Sequence, residues 1–209
     1  MIQKTKWLIF GVGSPETRFL GTRFNVGAAV VDLLADRGGG QLVERGPIQS
    51  EIVSFGNTMA RLAKPNVIPE MAEDAIALLK KHCPYEDGCV ALIYGDPDYL
   101  PGQVKIKRKG GASGHKIICE FNQVFGTSSV VRVRVGMGRV KNDNYYELPV
   151  DVVDEHAAAV ARGIQNASMI LQALIADGYS AAIDVAGKAN KNRGLKSPSS
   201  HLSQQNTRV

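Results

Sequence analysis

Apolar positions change period several times along this chain, and each change marks an element. Trp7 to Phe10 (WLIF) is a continuous apolar run that predicts a buried strand, and Gly11, Gly13 and Pro15 punctuate the turn after it. Beyond Thr22, a candidate N-cap, Val26, Ala29, Val30, Leu33 and Leu34 recur at helical spacing until Gly38-Gly39-Gly40 stops the pattern. Two alternating runs, Glu51 to Phe55 and Thr58 to Ala63, flank Gly56-Asn57, the signature of a tight antiparallel hairpin.

After Lys64-Pro65 a helical pattern carries Met71, Ala75, Ile76, Leu78 and Leu79 and stops by Pro84. Cys89 to Tyr94 (CVALIY) is again unbroken apolar sequence, as in a central strand covered on both faces, and it opens into a Pro/Gly-constrained loop from Gly95 to Gly102. Gln103 to Lys109 alternates as a half-exposed strand with a cationic face. A Gly-rich segment ending at His115 then leads into a helix from about Lys116 to Val124. Val130 to Val135 predicts another strand, and Val152 to Ala176 a long helix with Val160, Ile164, Met169, Ile170 and Leu174 inward. Strands alternating with helices, plus one hairpin, imply a single α/β domain over residues 1–187 with a mixed, twisted sheet flanked by helices. Residues 188–209, polar and without period, are expected to form a basic tail.

Composition narrows the partners. With 209 residues and 44% hydrophobic content the chain can bury one substantial core. No apolar run reaches about 18 residues, so no membrane span is expected. Cys83, Cys89 and Cys119 lack metal-ligand spacing and suggest reduced thiols. The tail holds Lys188, Lys191, Arg193, Lys196 and Arg208 and no acid, which equals the whole formal charge of +5. A polyanion such as RNA is the matching partner, and a solvated tail without a partner is the competing reading.

Few residues offer chemistry. The turn GVGSPE has Glu16 where a dinucleotide loop needs glycine, so no nucleotide cofactor is expected, and the cysteine spacing gives no reason to expect a metal. Asp96 lies just past a buried strand, the place for a catalytic carboxylate, although an Asx turn would use it equally well and Asp98 competes for either role. His115, beside a Gly-rich segment at a helix start, is the candidate imidazole. Lys105, Lys107, Arg108, Lys109 and Lys116 suit phosphate contacts, or else a solvated edge strand guarded against aggregation.

Taken in order, GVGSPE, GTRFNVG, KPNVIPEMAEDA, YGDPDYLPG, GGASGHKII and VRVRVGMGR resemble the motifs of bacterial-type peptidyl-tRNA hydrolase, from Trp7 to about Gly187. In that family a histidine acts as general base on the water that attacks the ester between peptide and tRNA, an aspartate orients it, and asparagines bind the substrate. The resemblance places Asp96 at the orienting aspartate and His115 at the histidine of the fifth motif. It places Phe24 at the general base, and Ser14, Glu70 and Lys116 at the asparagines.

Phenylalanine cannot accept a proton. The resemblance therefore implies a noncatalytic relative that binds RNA, tRNA or rRNA, within a ribonucleoprotein, with a mitochondrial ribosome or its assembly intermediate as the first expectation and the cytoplasm as the alternative compartment. Lys105, Lys107, Arg108, Lys109, Lys116, Arg132, Arg134, Arg139, Lys188, Lys191, Arg193 and Lys196 would contact the RNA, and other proteins of the particle would be neighbours. The alternative is an active hydrolase with a rearranged site built on His115 and Asp96.

Overall fold

The computed structural model describes residues 5–108, 116–126, 130–139 and 155–191. The strands are β1 (Trp7–Gly11), β2 (Val43–Arg45), β3 (Ile48–Phe55), β4 (Thr58–Pro65), β5 (Val90–Asp96), β6 (Val104–Arg108) and β7 (Val130–Gly136). The helices are α1 (Val26–Arg37), α2 (Ala72–His82), α3 (Lys116–Phe125), α4 (Glu155–Asp177) and α5 (Tyr179–Lys191). One sheet orders the strands β2-β3-β4-β1-β5-β7-β6. The four inner strands β4, β1, β5 and β7 run parallel; β3 and β6 are antiparallel to them at the two sides, and β2 pairs antiparallel to β3 at the outer edge.

The all-apolar runs are the strands buried on both faces, as unbroken hydrophobic sequence requires. Ile9, Ala91, Val131 and Val133 pack with α1, α4 and α5, while Leu8, Phe10, Leu92 and Val130 pack with α2 and α3. The predicted hairpin forms, with Phe55 paired to Thr58 and Gly56 at φ 59 in the turn, and it extends beyond the expected strands to Ile48 and Pro65.

Three expectations are corrected. Thr22 does not cap the first helix: its hydroxyl donates to the Phe19 carbonyl at 2.8 Å, closing the preceding turn, and a 3-10 turn over Arg23–Asn25 leads into α1. The short strand β2 was not anticipated, because three exposed residues carry no alternation to read. Regular structure also continues past Gly187. Helix α5 reaches Lys191, and Asn190 accepts the Val104 N–H at 3.1 Å and donates to the Val104 carbonyl at 2.8 Å, so its side chain pairs with edge strand β6 as a neighbouring strand would. The remainder of the expected tail, 192–209, lies outside the described residues.

Candidate functional site

In a sheet with parallel inner strands, the carboxyl ends of β1, β4, β5 and β7 all open on one side, and the loops leaving them form a crevice there. Strand β1 has β4 on one side and β5 on the other, so the crevice lies where the sheet is approached from both directions. Asp96 ends β5, and the segments that follow β1, β4 and β7 carry Ser14, Glu70 and Arg139.

Backbone contact sets the geometry of the first turn. A Cβ on Gly27 would stand 2.3 Å from the Ile93 carbonyl oxygen, and one on Gly11 would stand 2.3 Å from the Gly27 oxygen, so only glycines let α1 begin against β1 and β5. The Val12 N–H donates to the Ile93 carbonyl at 2.8 Å and the Ala28 N–H to the Val12 carbonyl at 3.0 Å. Asn25 clasps the tip from inside, accepting the Ser14 N–H at 2.7 Å and donating to the Ser14 carbonyl at 2.8 Å. Both partners are buried, so each bond is worth about 0.5–1.5 kcal/mol net and more if one side is left unpaired. The Ser14 hydroxyl donates to Glu16 Oε2 at 3.0 Å and accepts the Glu16 N–H at 3.3 Å.

Phe24, on the same turn, is half-buried and stacks on Phe19 with ring centroids 4.3 Å apart; Arg18 covers the Phe19 ring at 4.5 Å. Its neighbour Arg23 is fully buried and donates to the Met137 carbonyl at 3.1 Å, while the Met137 N–H donates to the Asp96 carbonyl at 3.0 Å. The Phe24 segment, the end of β7 and the end of β5 are thereby joined.

Asp96 has both of its carboxylate oxygens engaged. Oδ1 accepts the Asp98 N–H at 2.9 Å, which is the Asx turn, and Oδ2 lies 3.4 Å from the Arg134 guanidinium. That guanidinium in turn covers the Tyr99 ring at 4.6 Å. The pair is mostly shielded, Asp96 13% and Arg134 22% exposed at the side chain. Asp98 faces solvent and is held by Arg139, whose Nε donates to it at 2.9 Å. Lys116, at the start of α3, reaches the Glu70 backbone carbonyl at 3.4 Å, and its ammonium lies 3.8 Å from Glu120. His115 lies outside the described residues, as do Lys109, Arg193 and Lys196.

The cations divide by environment. Lys105 and Lys107 on β6 are exposed and stand directly opposite Arg134 and Arg132 of β7. Arg132 is not a surface contact, however: it is 2% exposed and donates to Asn122 at 2.7 Å. Burial raises the Tyr94 phenol above its ordinary pKa, and the hydrogen bond and charge of Arg132 draw it partly back. Arg108 lies over the Tyr179 ring at 4.8 Å, while Lys188 and Lys191 are exposed on α5. The exposed lysines thus flank the β6 edge from both faces of the sheet. Sequence reasoning found these positions but missed Asn25 and the Asp96–Arg134 pair; the signal for the latter was two charges in strands that otherwise read as buried.

Among the described residues no group of His, Cys, Asp and Glu could hold a metal ion, and no helix is long and apolar enough to cross a membrane. The three cysteines are free, and burial raises the Cys83 thiol.

The sequence profile of the family described as peptidyl-tRNA hydrolase matches residues 8–193. The peptidyl-tRNA hydrolase of Frankia casuarinae is 30% identical over 182 residues, 84% of this chain and 91% of that protein. That of Frankia alni is 33% identical over 134 residues, 64% of this chain and 68% of that protein. The crystal structure of peptidyl-tRNA hydrolase from Acinetobacter baumannii superimposes with a TM-score of 0.77 at 19% identity, covering 88% of this chain and 94% of that one, which places the fold.

Proposed function

The chain belongs to the peptidyl-tRNA hydrolase family, and from that premise we propose that it is a noncatalytic member that binds tRNA or rRNA as part of a ribonucleoprotein. The observation that carries this reading is Phe24. A hydrocarbon ring stacked on Phe19 stands where the family's motif has its general base, and a general base contributes about 10²–10⁴-fold to a rate. Asp96, the position of the orienting aspartate, commits its carboxylate to Arg134 and the Asp98 N–H. The Lys116 ammonium is turned onto the Glu70 carbonyl, so two positions that carry neutral amides in the family's motifs here carry opposite charges. Exposed Lys105, Lys107, Lys188 and Lys191 supply phosphate contacts around the β6 edge, and Arg193 and Lys196 extend the same charge along the chain.

A second reading is favoured by the comparisons themselves: the relatives named above are peptidyl-tRNA hydrolases, and the family match spans nearly the whole chain. On that reading His115 takes the proton from the attacking water, the ester carbonyl is attacked, and the tRNA 3′-hydroxyl leaves. One experiment separates the two. Purified full-length protein is incubated with peptidyl-tRNA, and both binding and ester cleavage are followed. Binding with cleavage at the uncatalysed rate supports the noncatalytic reading, whereas turnover lost in His115→Ala or Asp96→Ala establishes the hydrolase.

For the particle, a mitochondrial ribosome or its assembly intermediate is proposed by analogy with other enzyme folds recruited to organellar ribosomes. Affinity purification of the full-length chain should then recover large ribosomal RNA and ribosomal proteins. Recovery of free tRNA alone would contradict the ribosomal assignment.

A further inference from the structure

On the side of the sheet that faces α2 and α3, arginines interrupt the apolar rows: Arg132 and Arg134 on β7, and Arg61 on β4. Leu8 of β1, Arg61 of β4 and Ile52 of β3 stand side by side in register, and Met59 and Ala63 are the next residues on that face of β4. Such a row fills a core, yet its middle member carries a guanidinium that is only 8% exposed. The buried Arg61 Nε has no hydrogen-bond partner among the described residues. An arginine is rarely buried without a partner, because taking its charge out of water is strongly unfavourable.

Helix α2 ends at His82, short of the outer hairpin, and leaves over β3 and β4 a groove of about 800 Å³ that Arg61 lines together with Arg45, Ile48, Ile52, Met59 and Leu78. Burial raises the thiol of Cys83, which also lines the groove, while the charges of Arg61 and Arg45 pull it back, so both guanidinium fields converge there. The acid of the groove, Glu51, turns Oε1 to the Ile52 N–H at 2.7 Å rather than to either arginine. Two guanidinium charges against one carboxylate leave the groove with one uncompensated positive charge, His82 being exposed at its rim.

We propose that this groove binds a monocarboxylate carried on an apolar body. The Arg61 fork takes the carboxylate, and Ile48, Ile52, Met59 and Leu78 take the chain. The groove is separate from the crevice at the carboxyl ends of the strands: Arg61 precedes the end of β4 at Pro65 by about 13 Å at roughly 3.3 Å per residue. Its occupancy does not depend on whether the crevice hydrolyses an ester.

The test titrates the full-length protein with octanoate, with octan-1-ol as the uncharged chain and with inorganic phosphate as the anion without a chain, by calorimetry and by the NMR signal of the arginine Nε–H groups. Octanoate is expected to bind saturably and to shift one Nε–H resonance, with octanol and phosphate each at least about tenfold weaker. Arg61→Met should weaken octanoate at least about tenfold, which is ~1.4 kcal/mol. Because it removes a largely buried guanidinium whose Nε lacks a hydrogen-bond partner among the described residues, it should hold or raise the thermal midpoint. If that variant does not fold, Arg45→Gln and the wild-type resonance shift carry the test. Equal binding of octanol, phosphate bound as tightly as octanoate, no saturable octanoate binding, or binding unchanged in the arginine variants would each overturn the proposal.

Discussion

Asp96 Oδ2, at the end of β5, lies 3.4 Å from the guanidinium of Arg134 on β7, which also covers the Tyr99 ring. The carboxylate that would orient an imidazole is thus joined to a cation from its own sheet. Asp96→Ala removes both this contact and the Asx-turn acceptor, and should cost about 1–3 kcal/mol, since a partly buried arginine loses its counter-ion. Asp96→Asn keeps an oxygen for the Asp98 N–H and should cost less. Urea denaturation of both variants checks the order.

The start of α1 depends on backbone contact that no side chain can share. Gly27→Ala would place a methyl 2.3 Å from the Ile93 oxygen and 2.7 Å from the Val12 nitrogen, backbone atoms held in the sheet and turn. A loss of about 1–3 kcal/mol or more is expected. Gly187 is the contrast: it lies in α5 with nothing within 4 Å of an added Cβ. Gly187→Ala should stabilise the protein by up to about 1 kcal/mol from helix propensity. Thermal unfolding of the two variants in opposite directions confirms the packing.

These contrasts also show what could be read in advance. Unbroken apolar runs such as CVALIY announced the central strands because burial on both faces leaves no alternation, and Gly56-Asn57 announced its hairpin because the turn demands a positive φ. Helix α5 was missed because its buried face is only Ala182 and Ala186, too small to raise the apolar period above a polar background. The roles of Asp96 and Arg132 were hidden for another reason. Each is decided by a partner far along the chain or on another element, Arg134 for the one and Asn122 across the β7–α3 contact for the other, and one sequence does not display such pairs. The Asx turn at Asp96 was legible, being a contact two residues long. Likewise the TRFN segment showed Phe24 in the base position but gave no hint that Asn25 would hold the Ser14 backbone.

RNA affinity should follow exposure rather than charge count. Replacing Lys105 and Lys107 by alanine should weaken RNA binding and reduce the slope of log K against log salt by about 0.7–0.9 for each phosphate that is no longer neutralised. Arg132→Ala should destabilise the fold, because it abandons a buried hydrogen bond to Asn122, while leaving the slope unchanged among the molecules that remain folded. Filter binding across a salt series, read beside the unfolding midpoints, distinguishes the two effects.

Stability should decline in alkali for a specific reason. Burial raises the pKa of both Cys83 and Tyr94, disfavouring their anions in the folded state. A group whose folded pKa lies above its unfolded value contributes stability below the unfolded pKa and loses it as pH rises through the folded one. With ordinary values of about 8.5 for cysteine and about 10 for tyrosine, the loss begins above about pH 8.5. Cys83→Ser should flatten the first part of that decline, measured by unfolding midpoints between neutral and strongly alkaline pH.

The central claim is that a hydrolase scaffold here lacks its hydrolytic base, and the most direct measurement is single-turnover cleavage of peptidyl-tRNA by wild-type protein beside Phe24→His. The account predicts cleavage at the uncatalysed rate for the wild type and a measurable gain for Phe24→His, bounded by the general-base contribution of about 10²–10⁴-fold. Wild-type cleavage far above the uncatalysed rate, unimproved by the histidine, would contradict it.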